Sequence, residues 1–135
     1  MNPQVLFPAL RYHDAHAAID WLERALGMSR GMVSQNSEGV VMHAQLSIAG
    51  ATLMLGSNSG DEGRLELPSG GGSVYIALDS AERVDQLFAS ATAAGAEVLQ
   101  PVTDQPYGSH EFTVADPEGN AWSVGTYRPT SEAAL

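Results

Sequence analysis

The stretch Asp116–Tyr127, DPEGNAWSVGTY, combines a tight turn with a strand. In the turn, Asp116 can accept hydrogen bonds from the following backbone, Pro117 fixes its own φ, and Gly119 supplies a positive φ. After the turn, small and large side chains alternate, which is typical of a strand with one buried face. The stretch therefore predicts a β-hairpin near the end of the chain, with structural roles for Asp116 and Asn120.

Working outward from this hairpin, the same order of elements occurs twice. In the second half, Ser80 is a candidate N-cap and Gly95 a candidate stop for a helix at about 80–96. In the first half, Asp14 and Gly27 have the same roles for a helix at about 13–28. Alternating or apolar segments predict the strands at about 4–12, 30–35, 40–50, 51–57, 73–79, 97–105, 109–116 and 121–127.

This order predicts an α+β fold of two βαβββ modules in a single domain. The first module covers about residues 4–56 and the second about 73–128, and a Gly/Ser/acid-rich linker joins them at about 57–72. We expect a curled mixed sheet around a groove, with the helices on the outside.

Composition restricts the partners. The chain has six Arg or Lys residues and sixteen Asp and Glu residues, which gives a formal net charge of −10. This charge argues against nucleic acid and against an anionic membrane as binding partners. An acidic surface attracts cations, but the alternative explanation is that the charge only keeps the protein soluble. The chain has no cysteine, no apolar run long enough to span a membrane and no signal peptide pattern, so a cytoplasmic location is expected.

The chain resembles the vicinal oxygen chelate superfamily, which includes glyoxalase I, extradiol dioxygenases and bleomycin resistance proteins. The resemblance rests on the repeated order of elements and on three segments of the sequence. The segments are FPALRYHDAHAAIDWLERALGM, VYIALD with VDQLFASATAAGAEVLQP, and YGSHEFTVADPEGNAWSVGTY. The resemblance covers nearly the whole chain and implies the fold and a homodimer. It does not imply one chemistry, since this superfamily hosts many activities.

Metal-using members of that superfamily place His, Glu or Gln ligands at four strand positions, which here hold Phe7, Met54, Ser73 and Ser123. A phenyl ring has no lone pair for a metal, a thioether is too soft for most catalytic divalent ions, and neutral hydroxyls bind them weakly. The resemblance therefore implies a member without a metal cofactor.

Alternation also predicts which side chains face the groove. The mixture is apolar and aromatic with a few hydrogen-bonding groups, as in many small-molecule sites. Phe7 and Tyr75 are suited to stacking on a planar ligand, Arg11 to a carboxylate and Glu111 to a cationic group, whereas Phe7 and Met54 could instead fill a core. The candidate ligand-binding residues are Phe7, Arg11, His43, Gln45, Met54, Ser73, Tyr75, Tyr107, Glu111 and Ser123.

Three functions remain open. The sequence favours a metal-independent binding protein of the bleomycin-resistance type that sequesters an antibiotic or an aromatic or cationic metabolite. The alternative is a glyoxalase-like lyase, isomerase or dioxygenase that uses an unforeseen metal site or metal-free acid–base chemistry through His43, Glu111 or Tyr107. The third is a structural or regulatory domain whose groove is closed by side chains.

Overall fold

The structure, a computed structural model, describes residues 3–58 and 66–129. In these ranges the chain forms eight strands and two helices. They are β1 (Ala9–Tyr12), α1 (Ala15–Leu26), β2 (Ser29–Gln35), β3 (Val41–Ile48), β4 (Ala51–Ser57), β5 (Ser73–Ala77), α2 (Ala81–Ala93), β6 (Glu97–Asp104), β7 (His110–Ala115) and β8 (Ala121–Gly125). Part of the predicted linker, residues 59–65, lies outside the described residues.

The strands form two mixed sheets of four strands each. Their orders are β1-β4-β3-β2 and β5-β8-β7-β6. In each sheet the first strand of the module pairs in parallel with the last, while the other neighbours are antiparallel. The α+β class and the two βαβββ modules predicted from the sequence are confirmed.

Both helices begin where the sequence predicts. The carboxylate of Asp14 accepts a hydrogen bond from the backbone N–H of Ala17 at 3.0 Å, and the hydroxyl of Ser80 accepts one from Arg83 at 3.2 Å. Each bond satisfies a donor that the first helical turn leaves unpaired. α1 ends at Gly27, whose φ of 66° lies in the left-handed region that glycine adopts without steric cost.

One core runs through both modules. α1 and α2 contact each other, and each covers one face of its own sheet. Trp21 and Trp122 are both buried in this core. In the described ranges, no helix reaches the length and apolarity needed to cross a bilayer.

The first strand is shorter than the sequence predicts. β1 begins at Ala9, not at residue 4, because Pro8 has no N–H to donate to a ladder. The segment before it is held by a side chain instead: the amide of Gln4 donates to the carbonyl of Thr52 and accepts from the N–H of Thr52, both at 2.8 Å. Gln4 thereby imitates a strand neighbour of β4.

The carboxylate of Asp116 is the centre of the final turn. It accepts hydrogen bonds from the backbone N–H groups of Glu118 and Asn120, from the Asn120 side chain, from Trp122 Nε1 at 3.0 Å and from the Tyr12 hydroxyl at 2.6 Å. Burial and this hydrogen bond raise the pKa of Tyr12, so its hydroxyl stays protonated and donates. Asp116 has the structural role that the sequence assigns to it.

The same turn also holds the start of α1 in the other module. The two carboxylate oxygens of Glu118 accept from the backbone N–H groups of His13 and Asp14 at 2.7 and 2.8 Å. The hydroxyl of Ser69 donates to the same carboxylate. Burial opposes ionisation of Glu118, but these hydrogen bonds together lower its pKa. A negative charge at a helix N-terminus is stabilising, so the second module anchors the first helix.

Candidate functional site

Each sheet has one face on the core and one face away from it. Alternation along the strands places the buried apolar side chains on the core face, among them Leu53 and Leu55 of β4 and Phe112 and Val114 of β7. The predicted groove residues on the strands therefore lie on the opposite faces. Strand pairing joins Met54 to Gln45 in the first sheet, and Tyr75 to Ser123 and Ser123 to Thr113 in the second.

A cavity of about 500 Å³ lies where the two modules meet, and we call it the seam cavity. Its volume is in the range of small-molecule sites, and most of its lining is apolar. Phe7, with 42% of its surface exposed, and Tyr75 line it from opposite modules, so Phe7 does not fill a core. Further lining comes from Leu6, Met28, Ile48, Leu53, Val74, Ile76, Trp122 and Arg128.

The N-terminal segment forms one wall of the seam cavity. Gln4 holds this segment against β4, and the carbonyl of Pro8 accepts from the N–H of Met54 at 2.9 Å. These bonds leave Leu6 and Phe7 exposed at the mouth. An apolar ligand would therefore cover side chains that are now open to water.

A smaller cavity of about 200 Å³ lies on the first sheet. Arg11, His43 and Met54 line it together. Gln45 lies beside them, with its amide nitrogen 3.0 Å from His43 Nε2. Among the described residues, Arg11 forms no ion pair, so its guanidinium can receive an acidic ligand group.

On the second sheet, three tyrosines and one carboxylate form a cluster, which we call the tyrosine–glutamate cluster: Tyr75, Tyr107, Glu111 and Tyr127. The Tyr107 hydroxyl donates to Glu111 Oε1 at 2.9 Å, and the Tyr75 hydroxyl donates to the Tyr127 carbonyl at 2.5 Å. The Tyr107 and Tyr127 rings meet edge to face, with centroids 5.8 Å apart and an interplanar angle of 83°. Tyr75 also lines the seam cavity, so the two features share a wall.

The pKa values of Tyr75 and Tyr107 indicate that their hydroxyls act as hydrogen-bond donors and not as bases. The hydrogen bond to Glu111 raises the pKa of Tyr107, and burial raises the pKa of Tyr75. Both phenols therefore keep their protons at neutral pH. This argues against Tyr107 as a general base.

The residues at the four family metal positions do not fit a divalent ion. Phe7 is a hydrocarbon ring at the cavity mouth, Met54 offers only a thioether, and Ser73 only a neutral hydroxyl. The Ser123 hydroxyl is already paired with the Thr113 hydroxyl at 2.7 Å. Across residues 3–58 and 66–129, no group of three or more His, Cys, Asp or Glu side chains is placed to hold one ion. We therefore derive no chemical step through a metal.

The predicted residues divide among three places. Phe7 and Tyr75 meet at the seam cavity; Arg11, His43 and Met54 meet at the smaller cavity; Tyr107 and Glu111 meet in the tyrosine–glutamate cluster. Ser73 and Ser123 line neither cavity. The sequence analysis did not name Gln4, Met28, Tyr127 and Arg128 as site residues. All four lie outside the strands of the structure, where alternation does not indicate which way a side chain points.

The residue next to Glu111 has a different role on the other face. His110 Nε2 lies 2.7 Å from Asp85 of α2, and its Nδ1 lies 2.6 Å from Asp104 of β6. These two carboxylates raise the pKa of His110. The protonated ring thus links the helix to the sheet.

We expect this link to make stability depend on pH. Because the folded pKa of His110 is raised, its contribution is full below about pH 6.5, the unfolded value, and is lost as pH rises through the folded pKa. The contribution should stay below about 1 kcal/mol, since both aspartates are largely exposed. Urea unfolding of the wild type and His110→Gln at pH 5.5, 7 and 9 measures it. A stability difference between the two proteins that does not change with pH contradicts this prediction.

Comparison with known proteins identifies the family. Residues 4–124 match the model of the Glyoxalase/Bleomycin resistance protein/Dioxygenase superfamily. The chain belongs to this superfamily. An uncharacterised protein of Mycobacterium bovis is 36% identical over 125 residues, which covers 89% of this chain and 81% of that protein. An uncharacterised Mycobacterium tuberculosis protein has the same identity, with 72% of its length covered.

Solved structures of the superfamily agree with the fold. TioX from Micromonospora sp. ML1 has a TM-score of 0.75 and 29% identity, covering 93% of this chain and all (100%) of that one. A lactoylglutathione lyase from Agrobacterium tumefaciens has a TM-score of 0.68 and 20% identity, with 92% and 94% covered. The second likeness shows the fold alone, so superfamily membership by itself does not decide the chemistry.

Proposed function

We propose that this superfamily member is a small-molecule-binding protein that acts without a metal and holds the apolar or aromatic part of its ligand in the seam cavity. Sequestration of an antibiotic or of an aromatic or cationic metabolite is the corresponding biological role. The supporting observation is the seam cavity of about 500 Å³ between the modules, lined by Phe7 and Tyr75.

Physical chemistry favours an aromatic ligand there. The cavity is mostly apolar, so transfer of an apolar group from water is favourable in proportion to the area buried. A planar ligand between Phe7 and Tyr75 gains about 0.5–1.5 kcal/mol beyond this area term from ring contacts. Arg128 at the same cavity can orient a polar group.

Metal independence rests on the donor set. Three or more His or carboxylate ligands are the usual requirement for a catalytic divalent site, and the four family positions provide a phenyl ring, a thioether and two hydroxyls. The homodimer and the cytoplasmic location expected from the sequence stay predictions; sedimentation velocity decides the first of them.

A fluorescence titration tests this function. N-phenyl-1-naphthylamine, a neutral aromatic probe, is expected to bind saturably and to bind equally well with and without EDTA. Phe7→Ala should weaken binding roughly two- to tenfold, because one ring contact is lost. Phe7 is partly exposed, so its truncation should leave the fold intact.

Met32→Ala is the matched control, since Met32 is an exposed apolar residue of β2 that does not line the seam cavity. This variant should bind the probe like the wild type. Absence of saturable binding, or equal losses in the two variants, would overturn the proposed function. A loss of affinity in EDTA would overturn its metal independence.

A further inference from the structure

We propose that the tyrosine–glutamate cluster is a subsite for a cationic group, an ammonium or guanidinium, with Glu111 as the counter-charge. This deepens the proposed function and rests on it: the ligand class becomes an apolar or aromatic body in the seam cavity with a cationic end on the second sheet.

Glu111 is the first observation. Only 8% of its surface is exposed, a degree of burial that is unusual for Glu without a partner. Its Oε1 accepts from Tyr107, but Oε2 accepts no hydrogen bond from any described residue. In the described ranges, every fully buried side-chain oxygen or nitrogen has a hydrogen-bond partner. Because Oε2 has none, it is not fully buried and is accessible to solvent. The carboxylate is mostly desolvated, yet it keeps one oxygen open to an incoming donor.

The surrounding rings are the second observation. Tyr107 and Tyr127 meet edge to face at an interplanar angle of 83°, and 58% and 42% of their surfaces are exposed to an incoming group. Aromatic faces attract cations, most strongly where water is partly excluded. The hydrogen bonds of Tyr75 and Tyr107 fix two of the three rings, so little ordering is needed on binding.

No cation among residues 3–58 and 66–129 pairs with this carboxylate. Within the described part of the chain, the ion pairs involve Arg30 and His110, and none includes Glu111. Arg128 lines the adjacent seam cavity without pairing with Glu111. A buried carboxylate is stabilised when a cation pairs with it, and the formal net charge of −10 draws cations toward the surface.

Two matched probes test the subsite. 4-Phenylbutylamine carries a positive charge at neutral pH, and 4-phenylbutan-1-ol has the same ring and chain without that charge. By isothermal titration calorimetry, the amine should bind at least roughly tenfold more tightly than the alcohol. Glu111→Gln, which keeps an acceptor for Tyr107, should abolish this preference by lowering the affinity for the amine to about that for the alcohol.

Glu97→Gln is the control, because it removes one carboxylate from an exposed position on the same sheet. It should retain the preference for the amine. If Glu111→Gln does not fold, Tyr127→Leu gives a second route: Tyr127 is exposed, and loss of its ring should reduce the preference without unfolding the chain.

The outcomes separate this subsite from the proposed function. Equal affinities for amine and alcohol in the wild type, both weakened by Phe7→Ala, would overturn the subsite while the seam cavity stands. An amine preference equal in wild type, Glu111→Gln and Tyr127→Leu would also overturn it. Binding of the amine that requires Glu111 but not Phe7 would support the subsite and contradict the seam cavity.

Discussion

Asp116→Ala is expected to lower the free energy of unfolding by about 3–5 kcal/mol, because it removes the acceptor of five hydrogen bonds at once. The donors of Tyr12 and Trp122 would remain in a fully buried place without partners. Urea unfolding followed by circular dichroism measures the loss.

Two further variants bracket this result. Asp116→Asn keeps one oxygen acceptor, so its free energy of unfolding should lie between those of the wild type and the alanine variant. Asp79→Ala removes an exposed carboxylate and should change stability by less than about 0.5 kcal/mol. If Asp116→Ala loses no more stability than Asp79→Ala, the hydrogen bonds of Asp116 do not stabilise the turn as described above.

The second large effect is expected from Gly125→Ala. A Cβ at this position of β8 would lie 2.7 Å from the Cβ of Glu111 and 2.8 Å from both the Ser109 Oγ and the Tyr75 hydroxyl. Relief of these contacts requires neighbours on the sheet to move, at a cost of about 1–3 kcal/mol. It also shifts two members of the tyrosine–glutamate cluster, so the preference for the amine over the alcohol should fall.

Ser123→Thr is the control for that substitution. It adds one methyl group on the same face of the same strand and keeps the hydroxyl that pairs with Thr113. Calorimetry with the two probes and thermal unfolding of both variants give the comparison. An unchanged probe preference in Gly125→Ala would show that the cluster tolerates displacement of its rings.

Much of the fold could be predicted because its signals are local. Asp14, Gly27 and Ser80 mark helix ends through hydrogen bonds and a φ value that depend on their own residue types. The alternation around Trp122 fixes which face of β8 is buried, and the turn at Asp116 is encoded in five consecutive residues. These are short-range effects, and sequence patterns report them directly.

The site was less predictable because it depends on contacts between distant segments. The alternation of β5 places Tyr75 away from the core, but its hydrogen bond to the Tyr127 carbonyl depends on how β8 ends. Gln4 takes a structural position through its side chain, which no strand pattern encodes. The seam cavity arises from the packing of two modules, and neither module alone contains both of its walls.

The bond between Tyr12 and Asp116 spans 104 positions of the chain, and so does the cap that Glu118 provides for Asp14. During synthesis, the first helix therefore leaves the ribosome long before the residues that seal its N-terminal end. A nascent chain that carries only the first module keeps the Asp14 cap of α1. It lacks the Glu118 acceptors for the backbone N–H groups of His13 and Asp14 and the Asp116 acceptor for the Tyr12 hydroxyl. The hairpin of β7 and β8, which is translated after the first module, completes the first helix.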